Sequence, residues 1–147
     1  MRLHRDWREF IELLNSHRVE YLIVGAFARA HYGVPRSTGD IDFFVRSSPD
    51  NAARLEKVIE AFGFAGLGIG AEDFLTPDQI VQLGVAPCRI DLITTISGIS
   101  FDDAWAGRVT GELDGLPVAF VSLADLKKNK AAAGRSKDLA DLDALPD

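Results

Sequence analysis

Two hydrophobic rhythms alternate along this chain. Trp7, Phe10, Ile11 and Leu14 recur at i, i+3, i+4 and i+7, which predicts an amphipathic helix from Asp6 to Asn15. Asp6 and Glu9 supply a capping-box-like start for it. The pattern then changes to a short apolar, β-branched run, Tyr21-Leu22-Ile23-Val24, which reads as a buried strand. Gly25 breaks that run, and Ala26 to Tyr32 is helix material ending at Gly33 and Pro35. A second strand follows from Ile41 to Val45, with Asp40 and Asp42 at its start. Ser47-Ser48-Pro49 opens a helix whose stripe is Ala52, Leu55, Val58, Ile59 and Phe62, stopped by Gly63.

The next segment, Gly63-Phe64-Ala65-Gly66-Leu67-Gly68-Ile69-Gly70, invites a phosphate-loop reading, but no Gly-Lys-Ser/Thr follows. Its glycines alternate with apolar residues, so a strand or hairpin close to another backbone is expected instead. Ile80 to Val85 and Arg89 to Ile93 read as further strands, joined through Pro87. Ser100 and Asp103 frame a short helix carrying Phe101, Ala104 and Trp105, with Trp105 assigned to the core. Asp114-Gly115 joins two strands, 108–113 and 116–121, as a hairpin. Ser122 and Asp125 cap a helix through Ala133, Gly134 stops it, and Ser136 caps a last helix to Leu145. The expected class is α/β (α+β): a mixed, partly antiparallel β-sheet flanked by helices, in one domain spanning 1–147.

Composition narrows the function classes. A chain of 147 residues with 47% hydrophobic content can bury roughly 70% of its unfolded surface. Its apolar runs are far shorter than a membrane span, and Met1 to Arg5 lacks a signal-peptide profile, so a cytoplasmic, non-membrane protein is expected. The single Cys88 cannot form an internal disulfide and reads as a core thiol. A net charge of −6 argues against a protein that grips nucleic acid over its whole surface. His4, His17 and His31 have no metal-ligand spacing and read as surface or packing residues.

The acids change the picture most. Strand side chains alternate, so Asp40, Asp42 and Phe44 share one face while Ile41, Phe43 and Val45 take the other. Asp91 interrupts another central apolar run, and an aspartate there needs a reason. If the two strands are neighbours, three carboxylates about 5 Å apart repel by roughly 3 kcal/mol per pair at an effective dielectric near 20. Either their pKa values rise or a cation sits among them. Magnesium, which takes a few carboxylates plus phosphate oxygens, answers that need. Taken singly, each acid has a plainer role: a turn residue, a cap, or in Asp91 a partner for Arg89. The glycine after the first strand also lets a backbone approach a ligand, and the amides that follow favour an anion.

These residues resemble the minimal nucleotidyltransferases of the DNA polymerase β-like superfamily, and more closely small bacterial proteins related to the nucleotidyltransferase toxins of abortive-infection systems. The matching elements are Val24-Gly25-Ala26, Arg36-Ser37-Thr38-Gly39-Asp40-Ile41-Asp42, Arg89-Ile90-Asp91-Leu92, and Lys130-Ala131-Ala132 with Gly134-Arg135-Ser136-Lys137-Asp138-Leu139. Where that family usually has Gly-Ser or Gly-Gly, this chain has Gly25-Ala26, leaving only backbone contacts at Ala26.

The resemblance implies transfer of a nucleoside monophosphate from an NTP to a hydroxyl. It implies two Mg2+ ions, with Mn2+ as an alternative, on Asp40, Asp42 and Asp91. It places Gly25, Ala26, Arg36, Thr38, Lys130 and Arg135 at the nucleotide, with Asp138 bracing Lys130 or Arg135. A tRNA end, a protein hydroxyl and a small molecule all stay open as acceptor. A homodimer or a cognate protein partner is a further expectation, motivated by the chain's shortness. The rival from another class is a non-catalytic relative that keeps the fold and binds a nucleotide or a partner.

Overall fold

The computed structural model describes residues 2–35 and 37–147. Helix α1 (Arg5–Ser16) buries Trp7, Phe10, Ile11 and Leu14, the stripe predicted from spacing. Its cap differs from the capping box expected at Asp6. The helix begins one residue earlier, and the His4 ring accepts the Asp6 backbone N–H at 3.1 Å. Strand β1 (Tyr21–Val24) is buried throughout and runs directly into α2 (Gly25–His31). Strand β2 (Asp40–Val45) leads to α3 (Pro49–Ile59), capped by the Ser48 hydroxyl.

The glycine-rich segment is the main departure from the sequence reading. It forms neither strand nor hairpin: a wide turn at Glu60–Phe64 closes α3, and a 3₁₀ turn at Ala71–Phe74 follows. Gly63, Gly66 and Gly68 take φ of 99°, 88° and 76°, which extended backbone cannot accommodate. The alternation of glycine and apolar residues imitates a strand period, but these positive φ angles turn the chain instead.

Strands β3 (Ile80–Leu83) and β4 (Arg89–Ile93) follow, then α4 (Phe101–Ala106). The hairpin β5 (Val109–Leu113) and β6 (Leu116–Phe120) turns at Asp114-Gly115, both at positive φ, as a tight Asp-Gly hairpin requires. Helix α5 (Leu123–Ala133) is capped by Ser122 and stopped by Gly134 at φ 65°. Helix α6 (Ser136–Ala144) is capped through Asp138, which accepts the Arg135 N–H, and not by Ser136.

Among the described residues the strands form one sheet in the order β3-β4-β2-β1-β6-β5. Pairs β1·β6 and β2·β4 are parallel, whereas β1·β2, β3·β4 and β5·β6 are antiparallel. This is the mixed, helix-flanked α+β class. One face packs Ile23, Ile41, Phe43, Ile90 and Leu92 against α1 and α3. The other packs Leu22, Val24 and Phe44 against α2, α4 and α5. Trp105 is half-buried and packs against the core of that second side from α4, with Phe101 and Arg108 stacked on the indole. The even-numbered positions of β2 point to this second face, so Asp40 and Asp42 lie on it with Phe44.

Candidate active site

Parallel pairing of β2 with β4 sets Asp42 opposite Asp91 and Asp40 opposite Arg89. With a side-chain period of two, all four project from the same face of the sheet. One carboxylate oxygen from each of Asp40, Asp42 and Asp91 lies within 4.8 Å of the others. Asp91 is buried, while Asp40 and Asp42 are half-buried.

Gly25 has a reason the sequence did not disclose. A β-carbon there would lie 2.2 Å from Oδ2 of Asp42, and its φ is +67°. Val24 pairs with Asp42 across β1 and β2, so the turn into α2 passes directly over that carboxylate. Glycine is the residue that permits both the left-handed backbone and this approach.

Electrostatics at the three acids are unbalanced. Burial, and then the neighbouring charges of Asp40 and Asp91, push the Asp42 carboxyl from 3.8 up to about 7. Arg29 pulls in the opposite direction. Arg89 compensates part of the excess: its Nε donates to Asp91 Oδ1 at 2.9 Å, and its Nη2 donates to Asp40 Oδ2 at 2.7 Å. Arg89 is therefore a partner of two acids, and its place two residues before Asp91 on one strand was the signal for it.

Thr38 closes the loop onto Asp40. Its hydroxyl lies 2.9 Å from Asp40 Oδ1 and accepts the Asp40 N–H at 3.3 Å. Arg36 lies outside the described residues. Gly25 and Ala26 line a cleft of about 810 Å3 together with the three acids, Lys130 and Arg135.

The cleft's cationic wall is built by α2, α5 and α6. Lys130 is buried, with Nζ 3.2 Å from Asp138 and 3.4 Å from Asp141. Arg135 is largely exposed and donates from Nε to Asp138 at 2.6 Å. These two cations hold the fully buried Asp138 carboxyl well below the usual range, Arg135 contributing most. Arg29 and Asp141 belong to the same network, 3.6 Å apart and both buried, although sequence reasoning overlooked them. Their signals were a lone charge in the alanine-rich α2 and an Asp138/Asp141 pair spaced i, i+3 on one helical face.

The donor set suits a hard divalent cation. It offers oxygen ligands alone and carries surplus negative charge, and burial with the charges of Asp40 and Asp91 raises one member, Asp42, to about 7.

A mixed sheet with helices on both faces is also the fold of a crystal structure of a "putative nucleotidyltransferase" from Thermotoga maritima. It superposes with a TM-score of 0.63 at 17% identity, over 95% of this chain and 89% of that one. Residues 3–146 match the family described as "Nucleotidyl transferase of unknown function (DUF2204)", and the chain belongs to that family. No curated protein matches it in sequence. Among the described residues, no helix is long and apolar enough to cross a membrane.

Proposed function

We propose that this protein transfers a nucleoside monophosphate from an NTP to a hydroxyl acceptor, in the manner of the DNA polymerase β-like superfamily. The observation that carries the reading is the β2·β4 register, which gathers Asp40, Asp42 and Asp91 on one face beside a cationic wall. Asp40 and Asp42 would hold two Mg2+ ions, or Mn2+ in their place, and Asp91 would complete the set nearer the acceptor. Bound there, divalent cations supply charge neutralisation for the entering oxygen and the leaving pyrophosphate.

The remaining work falls to the chain's own groups. Lys130, Arg135 and the backbone at Gly25 and Ala26 hold the β- and γ-phosphates. Asp138 and Asp141 fix the Lys130 ammonium at the cleft, so the phosphates meet a positioned charge. Thr38 fixes the rotamer of Asp40. Arg89, bonded to Asp40 and Asp91, would have to yield these carboxylates to any cation that they held.

The test is incorporation of label from α-32P-NTPs, with Mg2+, into a panel of RNA, protein and small-molecule acceptors. The reading expects an active wild type and a silent Asp42→Asn. A wild type inert over the whole panel, yet stabilised by Mg2+–NTP, would favour a non-catalytic nucleotide-binding relative. Kinship with toxin nucleotidyltransferases forms part of the same proposal; growth arrest on expression, lost in Asp40→Asn, is its expected sign.

A further inference from the structure

The cleft is polarised. Among the described residues its cations, Arg29, Lys130, Arg135 and Lys137, come from α2, α5, and α6 with its N-cap. The opposing wall, from β3, β4 and the loop after β4, offers Ile80, Ile93, Thr95, Ile96 and Ser97 beyond Asp91, whose charge is paired with Arg89. Sheet order explains the division: β1, which feeds Gly25, flanks β2 on one side, and β4 with β3 flanks it on the other.

Beyond Thr95 a second groove of about 320 Å3 opens, and Thr95 lines both. Its floor is Phe44, two residues along β2 from Asp42 and on the same face, about 7 Å away at the rise of a strand. Ile99, Phe101, Leu75 and Pro77 give it apolar walls, and Ser47 and Ser100 add hydroxyls. Among the described residues lining it, the one cation is Arg46, which is paired with both Glu20 and Asp102. Thr95 accepts the Asp78 N–H at 3.0 Å, and a hydroxyl that accepts one bond can still donate another.

We infer that this groove is the acceptor subsite, and that the acceptor is a small, uncharged or cationic hydroxyl compound with an apolar ring or chain. The inference rests on the nucleotidyl-transfer reading and names the second substrate for it. In-line displacement puts the entering and leaving groups on opposite sides of phosphorus. With pyrophosphate on the cationic wall, the acceptor belongs on the neutral one. A nucleic-acid acceptor draws most of its affinity from Lys and Arg at its phosphates, and among the described residues lining this groove the one cation, Arg46, is already paired with Glu20 and Asp102. An apolar body lies against Phe101 and Ile99, and an ammonium would share the exposed Asp102 carboxylate with Arg46. The hydroxyl oxygen bonds to the α-phosphorus, the bond from that phosphorus to pyrophosphate breaks, and the hydroxyl proton passes to solvent.

The experiment follows α-32P-NTP label, with Mg2+, into tyramine, 2-phenylethanol, ethanolamine and glucosamine, with bulk tRNA and a tyrosine-containing peptide in parallel. Ser47→Trp fills the groove from an exposed position, and Ser47→Thr is its conservative control. Thermal stabilisation by Mg2+–NTP is read on every variant. The expected result is label on a small compound, at a rate flat in KCl from about 50 to 200 mM. Ser47→Trp raises the KM for that compound at least tenfold, Ser47→Thr leaves it unchanged, and the Mg2+–NTP shift is the same in all three proteins. Preferential labelling of tRNA or peptide overturns the inference, as does an unaltered KM in Ser47→Trp. A Mg2+–NTP shift without transfer to any small compound overturns the acceptor assignment alone. Absence of that shift in the wild type overturns the nucleotidyl-transfer reading, and the inference with it.

Discussion

Gly25 and Asp42 occupy one another's space: a single carbon added to the glycine would sit 2.2 Å from the carboxylate oxygen. The turn and the acid are thus one unit, built by the Val24–Asp42 pairing. Gly25→Ala must relieve both a left-handed backbone and a clash. The expected outcome is a loss of about 1–3 kcal/mol in stability by denaturant titration. Transfer activity falls further than stability does, because Asp42 is displaced.

Asp42 makes stability depend on pH in a direction opposite to that of a salt-bridged acid. Its carboxyl is raised from 3.8 to about 7 in the folded chain, so between those values the folded state binds more protons than the unfolded one. Stability without metal therefore falls as pH rises from about 4 to about 7, then levels. Asp42→Asn removes that slope and is more stable than wild type at pH 8, by on the order of 1–3 kcal/mol after allowing for partial exposure. Saturating Mg2+ flattens the wild-type curve and raises it at pH 8. Melting temperatures from pH 4 to 9, with and without Mg2+, check all three statements.

Arg89 is the cation the site holds when no other is present, through its bonds to Asp40 and Asp91. Arg89→Ala is expected to lower the melting temperature at pH 8 in EDTA. It should also tighten Mn2+ binding in a calorimetric titration, because a competing partner of Asp40 and Asp91 is gone. Mg2+ should restore most of the lost melting temperature.

Asp141 ties two helices to α6 from inside, with Lys130 at 3.4 Å and Arg29 at 3.6 Å. Removing its charge leaves two buried cations sharing fewer carboxylates. Asp141→Asn should cost about 3 kcal/mol, measured by urea denaturation. Proteolysis of the native protein should begin near α6. The apparent KM for the NTP should rise more than kcat falls, since Lys130 serves binding.

Much of this architecture was legible in the sequence because it rests on local periodicity. The stripe Trp7, Phe10, Ile11 and Leu14, the Asp114-Gly115 hairpin and the alternation along β2 each need only neighbouring residues to declare them. What the sequence hid is long-range. Nothing local says that β2 and β4 pair in parallel with Asp42 opposite Asp91, or that Gly25 clears room for a carboxylate from another strand. The network around Lys130 is similar: Arg29 and Asp141 lie 112 positions apart in the chain and meet only when α2 and α6 pack. The glycine-rich 63–70 segment misled because a period of two is shared by strands and by glycines at positive φ. Ser136 misled in a smaller way, since Asp138 two residues later captures the Arg135 N–H.

The central claim is that Asp40, Asp42 and Asp91 together hold divalent cations at the nucleotide's α-phosphate. Crystals soaked with Mn2+ and a non-hydrolysable NTP test it most directly, through anomalous diffraction. The account predicts manganese peaks ligated by all three carboxylates, with Arg89 swung away and the triphosphate running toward Lys130 and Arg135. A map with no manganese among the three acids, and Arg89 still bonded to Asp40 and Asp91, would contradict it.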